Sequence, residues 1–544
     1  MRSYSVNTGL AFVVSLFMSF TVRAADLIWD NGSGDFLWNT TSTNWSGTAT
    51  WSNSVPDNAT FNATGAGTVS LGEAITAGTV GISAGAYTFS GAALTVTGGV
   101  SIASASAVTV NNVIAGDGSL SHTGSGNLTL VGNNTFTGGV YQSSGGRLTP
   151  DHNNCFGTGP VEVNAGWLGS PNGTRIIPND ITLTGTGGLV ANVNRHLFLS
   201  GNVYLNNAGV NIAPGGPNSR IVRFQGTLNG TATYVNLGRG YTEIASGCTV
   251  TYGGRFHLMG NLGCNFDIGN GINLTNEIRV TASSIIGMQS LVNAEYSGNI
   301  DLQVDGDGAF DIEAVAGQTI TCSGVISEDA NGPGVDIIGA GTVILTGTNT
   351  YPTRTSVTNG TLLVNGDNSA ATGNMFVTNN ATLGGTGTIG GKGYISATNS
   401  PGNNSFGVLT FSSHLNYLNG AKVVWQLGAN SAVNRGMLFD GIDVGGDLTF
   451  DMAVALALDF NQDGSTVDWT DPFWIANRQW LIWDVTGVTT GFGALSVTVA
   501  DWADANGHLF NTVRPKSSFS LVESSGGIYL KYEAPLLGTF IMFM

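Results

Sequence analysis

The segment GSGNLTLVGNNTF, Gly124 to Phe136, is written again 215 residues later as GAGTVILTGTNTY, Gly339 to Tyr351. Gly126, Leu130, Gly132 and Asn134 recur as Gly341, Leu345, Gly347 and Asn349, each asparagine is followed by threonine, and the echo runs on at Gly145/Gly360 and Leu148/Leu363. Glycine matches are cheap in a chain with 81 glycines, but the leucine, the Asn-Thr pair and the closing aromatic fall in one register. This is a true internal repeat, and a repeat of this kind constrains the fold more than any other feature.

Within each copy two apolar residues alternate with an outward neighbour, and Gly-Asn-Asn or Gly-Thr-Asn follows at once. That pattern reads as one short strand and one corner, with glycine and asparagine expected to supply left-handed backbone at the bend. One strand and one corner cannot bury an apolar face alone, whereas stacked coils can. The expected fold is therefore all-β: a right-handed parallel β-helix, or β-solenoid, with a Trp-rich N-terminal cap and a C-terminal β-rich closing domain.

The expected boundaries follow texture. Residues 25–85 carry the cap, with Trp29, Trp38, Trp45 and Trp51, and the first coils. Residues 86–428 form the β-helix, with repeats at 124–148 and 339–402. Residues 429–534 have longer strands and form the closing region, where Asp471-Pro472 signals a short helix start. Residues 535–544 are a short apolar tail. Large rings suit the open end of a solenoid, so the tryptophans are read as a cap in preference to a sugar site.

The repeat phrase, with GTLLVNG at Gly360 to Gly366, ATLGGTGTIGG at Ala381 to Gly391 and SPG at Ser400 to Gly402, resembles the autotransporter-associated β-strand repeat of exported bacterial proteins. The second copy matches throughout. The first matches up to Gly139 and departs at YQSSGG, Tyr141 to Gly146, where the family prefers a Thr/Val-rich strand. The resemblance implies a passenger-like fold and export, and it brings no catalytic residues.

Residues 1–24 read as a signal peptide: Arg2, an apolar run from Gly9 to Phe20, and Thr21-Val22-Arg23-Ala24 before the cut. The run is too short to span a bilayer, as is the tail, so no integral membrane anchor is expected. The net charge of −17, without any basic cluster, argues against nucleic acid as a partner. Cys155, Cys248, Cys264 and Cys322 are too scattered for a disulfide framework and are read as buried thiols, Cys248 and Cys264 being the pair near enough in sequence to join.

Motifs with chemical meaning are weak. Gly81-Ile82-Ser83-Ala84-Gly85 lacks the helix a nucleophile elbow needs, and Gly385 to Gly390 fits a dinucleotide loop only in its glycines. The six histidines show no metal-ligand spacing, so no catalytic residue is assigned. Two acidic clusters are candidate calcium ligands: Asp459, Asn461 and Asp463, in which Thr470 stands where a bidentate acid is wanted, and Asp305 and Asp307 with Asp301 and Asp311. No other cofactor is expected.

The reading is an exported, non-enzymatic, adhesive or structural protein, extracellular or on the outer cell surface. Its expected partners are glycans, extracellular matrix or neighbouring copies. The alternative is a carbohydrate-active β-helix enzyme, a lyase or glycosidase, which would need clustered carboxylates in a groove.

Overall fold

The computed structural model describes residues 23–535 except 171–172, 192–194, 208, 214–220, 260–262, 288–292, 304–308, 329–331, 333, 403–404 and 525. The leader up to residue 22 and the tail from 536 lie outside it. The chain is 49% strand and 2% helix, wound as parallel stacked coils into a β-solenoid of about 15 turns.

Each coil visits three faces in fixed order. Strands are short and alternate in burial, as in Leu128–Leu130 and Thr342–Leu345, because successive side chains point in and out of the coil. Inward residues stack on their counterparts one coil away. On the first face Val100, Leu120, Val140, Val161 and Ile181 are register partners in succession. On the second the column is Val108, Leu128, Leu148, Leu168 and Leu189. On the third it is Ile177, Leu199, Phe224, Ile244 and Ile268. All are buried, each contributing roughly 1.5–3 kcal/mol of apolar burial. The third face alone carries a 14-stranded parallel ladder, from Thr174–Ile177 to Thr489–Thr490.

Parallel pairing extends through the segments on either side of 86–428. Asp26–Ile28 pairs in parallel with Asn58–Phe61, and Val454–Asp459 pairs in parallel with Leu495–Val497. Residues 429–534 thus continue the same ladder and then end it: Gly527–Glu533 lies antiparallel on Arg478–Val485, with Ser518–Ser524 as the outer strand.

Both repeat leucines are buried, but the two copies sit on different faces. Leu128–Leu130 belongs to the second face and Thr342–Leu345 to the first. The unit of strand and corner is the same, turned by one face around the axis.

The repeat glycines owe their place to close approach, and the expectation of left-handed backbone is corrected. Gly126, Gly132, Gly341, Gly347, Asn134 and Asn349 are all absent from the positive-φ residues. A Cβ on Gly132 would lie 2.3 Å from the Asn112 carbonyl oxygen, and one on Gly347 would lie 2.1 Å from that of Gly324. The Cβ of Gly126 would meet Ser106 O at 2.1 Å, and that of Gly341 would meet Val315 O at 2.3 Å. The neighbouring coil occupies the space a side chain would need.

The asparagines act as side-chain rungs at the corners. Asn134 Oδ1 accepts the Ile114 N–H at 2.7 Å and Nδ2 donates to the Cys155 carbonyl; Asn349 Oδ1 accepts the Ile326 N–H at 2.7 Å and Nδ2 donates to Asn368 Oδ1. The following threonine N–H bonds the same preceding residue in both copies, at 2.9 Å. Each asparagine spans three coils and satisfies groups the bending backbone cannot reach.

The N-terminal end is closed by Trp29, Trp38, Trp45 and Trp51, each no more than 2% exposed, with three edge-on contacts at 5.0 to 5.3 Å and a tilted one between Trp45 and Trp51 at 4.9 Å. Rings buried to this extent cap the coil and offer no face to a sugar. Near the other end, the links from first to second face swell at 427–440 and 460–477, and a third, 498–517, leads into the closing hairpin. Together they enclose Trp469, Trp474, Phe510, Phe519 and Tyr532. Asp471 caps the short 3-10 helix Pro472–Ile475 through the Phe473 N–H, as the Asp-Pro pair indicates.

Leu130→Asp or Leu345→Asp places an unpaired charge in the core and is expected to cost at least about 3 kcal/mol, read as a lowered denaturant midpoint. Gly347→Ala is expected to cost about 1–3 kcal/mol by overpacking. Gly145→Ala, where nothing lies within 4 Å of the added Cβ, is expected to melt as the unsubstituted chain does.

Candidate functional surface

A coil that spends its inward residues on the core leaves the outward ones in columns along the rod, about 4.8 Å apart. Threonine fills two of them. Thr68, Thr88, Thr109 and Thr129 are successive partners on the second face, and the column runs on to Thr149, which is buried. Thr319, Thr342, Thr361, Thr382 and Thr398 are successive partners on the first. Charged columns cross coils as ion pairs, with Arg223 to Glu243 at 2.7 Å and Arg279 to Asp301 at 3.0 Å. Being solvated, such pairs add little stability, and they leave the surface polar and nearly neutralised in patches.

The acidic cluster around 301–311 is divided by the fold. Asp305 and Asp307 lie outside the described residues, Asp301 is on the second face, and Asp311 is on the third. Asp311 instead meets a residue that sequence proximity hides: Asp336, its partner one coil on. Burial first, then the charges of Asp336 and Glu313, push Asp311 up to about 6, with Arg354 pulling the other way. Arg354 forks onto both oxygens of Asp336.

The other calcium candidates form a turn. Asp459 ends its strand and accepts the Asn461 N–H at 3.2 Å, while Asp463 precedes Gly464, which takes the left-handed conformation at φ 81°. Asp471 is engaged as a helix cap, and no third carboxylate or imidazole joins Asp459 and Asp463 among the described residues.

Sequence reading missed a different group. Asp468, Asp504 and His508 bring ligand-type atoms within 4.8 Å of one another, the one such group among the described residues. Its centre is structural. Buried Asp504 accepts the N–H groups of Trp469, Asn506 and His508 at 2.8 to 2.9 Å, with His508 Nδ1 at 3.1 Å. Burial alone would raise this carboxyl, but those donors outweigh it and hold it below the usual range. The available signal was Asp504-Ala-Asn-Gly-His508, an Asx turn that staples the third swollen link to the second.

The cysteines form no disulfide among the described residues, and all four are buried. Burial pushes the thiols of Cys155 and Cys322 up to about 12, so they behave as small apolar residues. Among the described residues no helix is long and apolar enough to cross a membrane.

Asp440 is a second raised carboxyl. It is fully buried between the N–H groups of Gly407 and Gln426, at 3.0 and 3.1 Å, and burial pushes it up to about 8, with the charge of Asp459 adding. Asp311 and Asp440 both bind a proton more tightly folded than unfolded. Their stabilisation is complete below the unfolded value of 3.8 and drains away as pH rises through about 6 and about 8. Burial holds His122, His196 and His257 below their usual value of 6.5, which works the other way at lower pH, so thermal midpoints are expected to fall from pH 7 to pH 9, and Asp440→Asn is expected to flatten that fall.

No family model matches the chain. Over 305 residues it is 29% identical to a curated relative, the adhesin BmaC autotransporter of Brucella suis biovar 1 (strain 1330), and the match covers 53% of this chain and 8% of that relative. The chain is therefore similar to a small part of a much longer protein.

Proposed function

We propose that this chain is an exported, non-enzymatic rod of the autotransporter-passenger kind that acts outside the cell by adhesion. The observation that carries the reading is the architecture: a long parallel β-helix whose outward columns are hydroxyls, amides and paired charges. Similarity to part of an autotransporter adhesin supports it, as do the signal-like leader and the resemblance of the repeat to that of exported passengers.

Adhesion suits this geometry. A column of like side chains repeats the same weak contact every coil, and several such contacts made together gain strength by effective concentration. General acid/base chemistry needs groups converging on one reacting atom. The one group of three His, Cys, Asp or Glu side chains among the described residues whose ligand-type atoms all lie within 4.8 Å of one another is centred on Asp504, whose oxygens are taken up by backbone donors. Glycans, matrix and neighbouring copies are the partners proposed, and calcium at Asp459, Asn461 and Asp463 remains a proposal of the same rank.

Beads coated with the chain from Ala25 onward are expected to adhere to glycan-coated or matrix-coated surfaces above an albumin control. Incubation with soluble polysaccharides is expected to release no new reducing ends. Beads that bind neither surface would overturn the adhesive half of the reading; reducing ends that accumulate with time would overturn the non-enzymatic half.

A further inference from the structure

The first repeat copy departs from its pattern at Tyr141, and the structure gives the departure a place. Tyr141 lies on the strand Val140–Pro150, where Val140 and Gln142 point inward and Tyr141 outward, 40% exposed. The matching residue of the second copy, 215 positions on, is Ser356, also outward on its strand. A large ring therefore stands on the surface where the repeat otherwise keeps a small hydroxyl.

The rung beneath it is fixed. Buried Gln142 meets the His122 ring through Oε1 and donates to the carbonyls of Ser144 and Gly146, at 3.2 and 2.8 Å. Beyond Gln142 the pairing shifts register, so the ring projects from the last regular rung before an irregular corner.

Tyr141 stands in a column on the first face, following Ser101 and Ser121. Its partner one coil on is Glu162, followed by Thr182 and then Tyr204. Two tyrosines thus stand three rungs apart, on the order of 14 Å, with a carboxylate and a hydroxyl between them. A cavity of about 280 Å³ opens here, lined by Tyr141, Glu162 and Thr182 with Ser119, Gly139 and Pro160. Glu162 is oriented in advance: one oxygen accepts from Thr184 Oγ1 at 3.0 Å, and that hydroxyl accepts from Asn164 Nδ2 at 3.1 Å. The other oxygen has no partner among the described residues.

We propose that the column of Tyr141, Glu162, Thr182 and Tyr204 is a binding strip for an extended neutral glycan, deepening and resting on the adhesive reading above. A pyranose ring presents C–H groups on its flat faces and hydroxyls around its edge. An exposed tyrosine takes the face, while a held carboxylate and a threonine take the edge. Each sugar of an extended chain advances by about one rung, so successive rings meet successive members of the column. An anionic glycan is disfavoured by Glu162 and by a net charge of −17.

The test is affinity electrophoresis of the whole chain through native gels containing hydroxyethyl cellulose, galactomannan, dextran or yeast mannan, with hyaluronan and polygalacturonate as anionic arms. Retardation is expected in at least one neutral gel and in neither anionic gel. Tyr141→Ser, which installs the residue of the second copy, is expected to weaken retardation about tenfold, one decade in Kd. Tyr141→Trp is expected to keep it, and Tyr234→Ser on the second face to leave it unchanged. The strip is overturned if no neutral gel retards the chain, if an anionic gel does so as strongly, if Tyr141→Ser binds as the unsubstituted chain does, or if Tyr141→Trp loses binding while melting normally. Coated beads that still adhere in any of those cases would sink the strip and leave the adhesive reading standing; beads that adhere to nothing would sink the reading itself.

Discussion

The distance between one coil and the next governs this molecule. Parallel strands held by backbone hydrogen bonds stack about 4.8 Å apart, and at the corners that spacing leaves no room for a Cβ. The carbonyls of Ser106, Asn112, Val315 and Gly324 each come within 2.3 Å of where a side chain on the following coil would begin. Glycine at Gly126, Gly132, Gly341 and Gly347 is thus a steric requirement. Asparagine beside it solves the complementary problem: where the bending backbone breaks the ladder, an amide side chain carries it. Close approach and the amide rung together let a chain with few charges repeat one unit without a new core for each turn.

That economy explains what could be read in advance. Alternation around Leu130 and Leu345, recurring with Gly and Asn-Thr in register, is a local pattern, and local patterns specify strand, corner and core side. The tryptophans at the N-terminal end and the Asp471-Pro472 helix start were legible for the same reason, since ring size and a capping carboxylate act within a few residues. Which face a copy occupies was not legible. The same strand and corner fits any of the three bends, so Leu130 and Leu345, which occupy the same place in the repeat, sit on different faces.

Long-range pairing was hidden too. Asp301 and Asp311 are close in sequence and separated in space, whereas Asp311 and Asp336 are distant in sequence and adjacent. The number of residues in a coil varies with its corners, and beyond residue 426 the swollen links lengthen it further, so no fixed period gives the partner of a given carboxylate. The Asp504 staple was missed because its Asx turn resembles many surface turns until Trp469, 35 residues earlier, is placed against it.

Where the fold spends its constraints also decides where function has room. Inward positions admit aliphatic residues and a few satisfied amides, corner positions admit glycine and asparagine, and neither can change without disturbing the neighbouring coil. Outward positions touch one another, within a column and diagonally between columns, and not the core. A substitution there, such as tyrosine at 141 against serine at 356, costs the stack little and alters the chemistry of one rung. A rod built this way can carry hydroxyl columns along one stretch, ion pairs along another and an aromatic strip along a third, each independent of the core beneath. Recognition then depends on which outward residues fall in register, and this is set by coil pairing, so Tyr141, Glu162, Thr182 and Tyr204, dispersed over the sequence, become one continuous line.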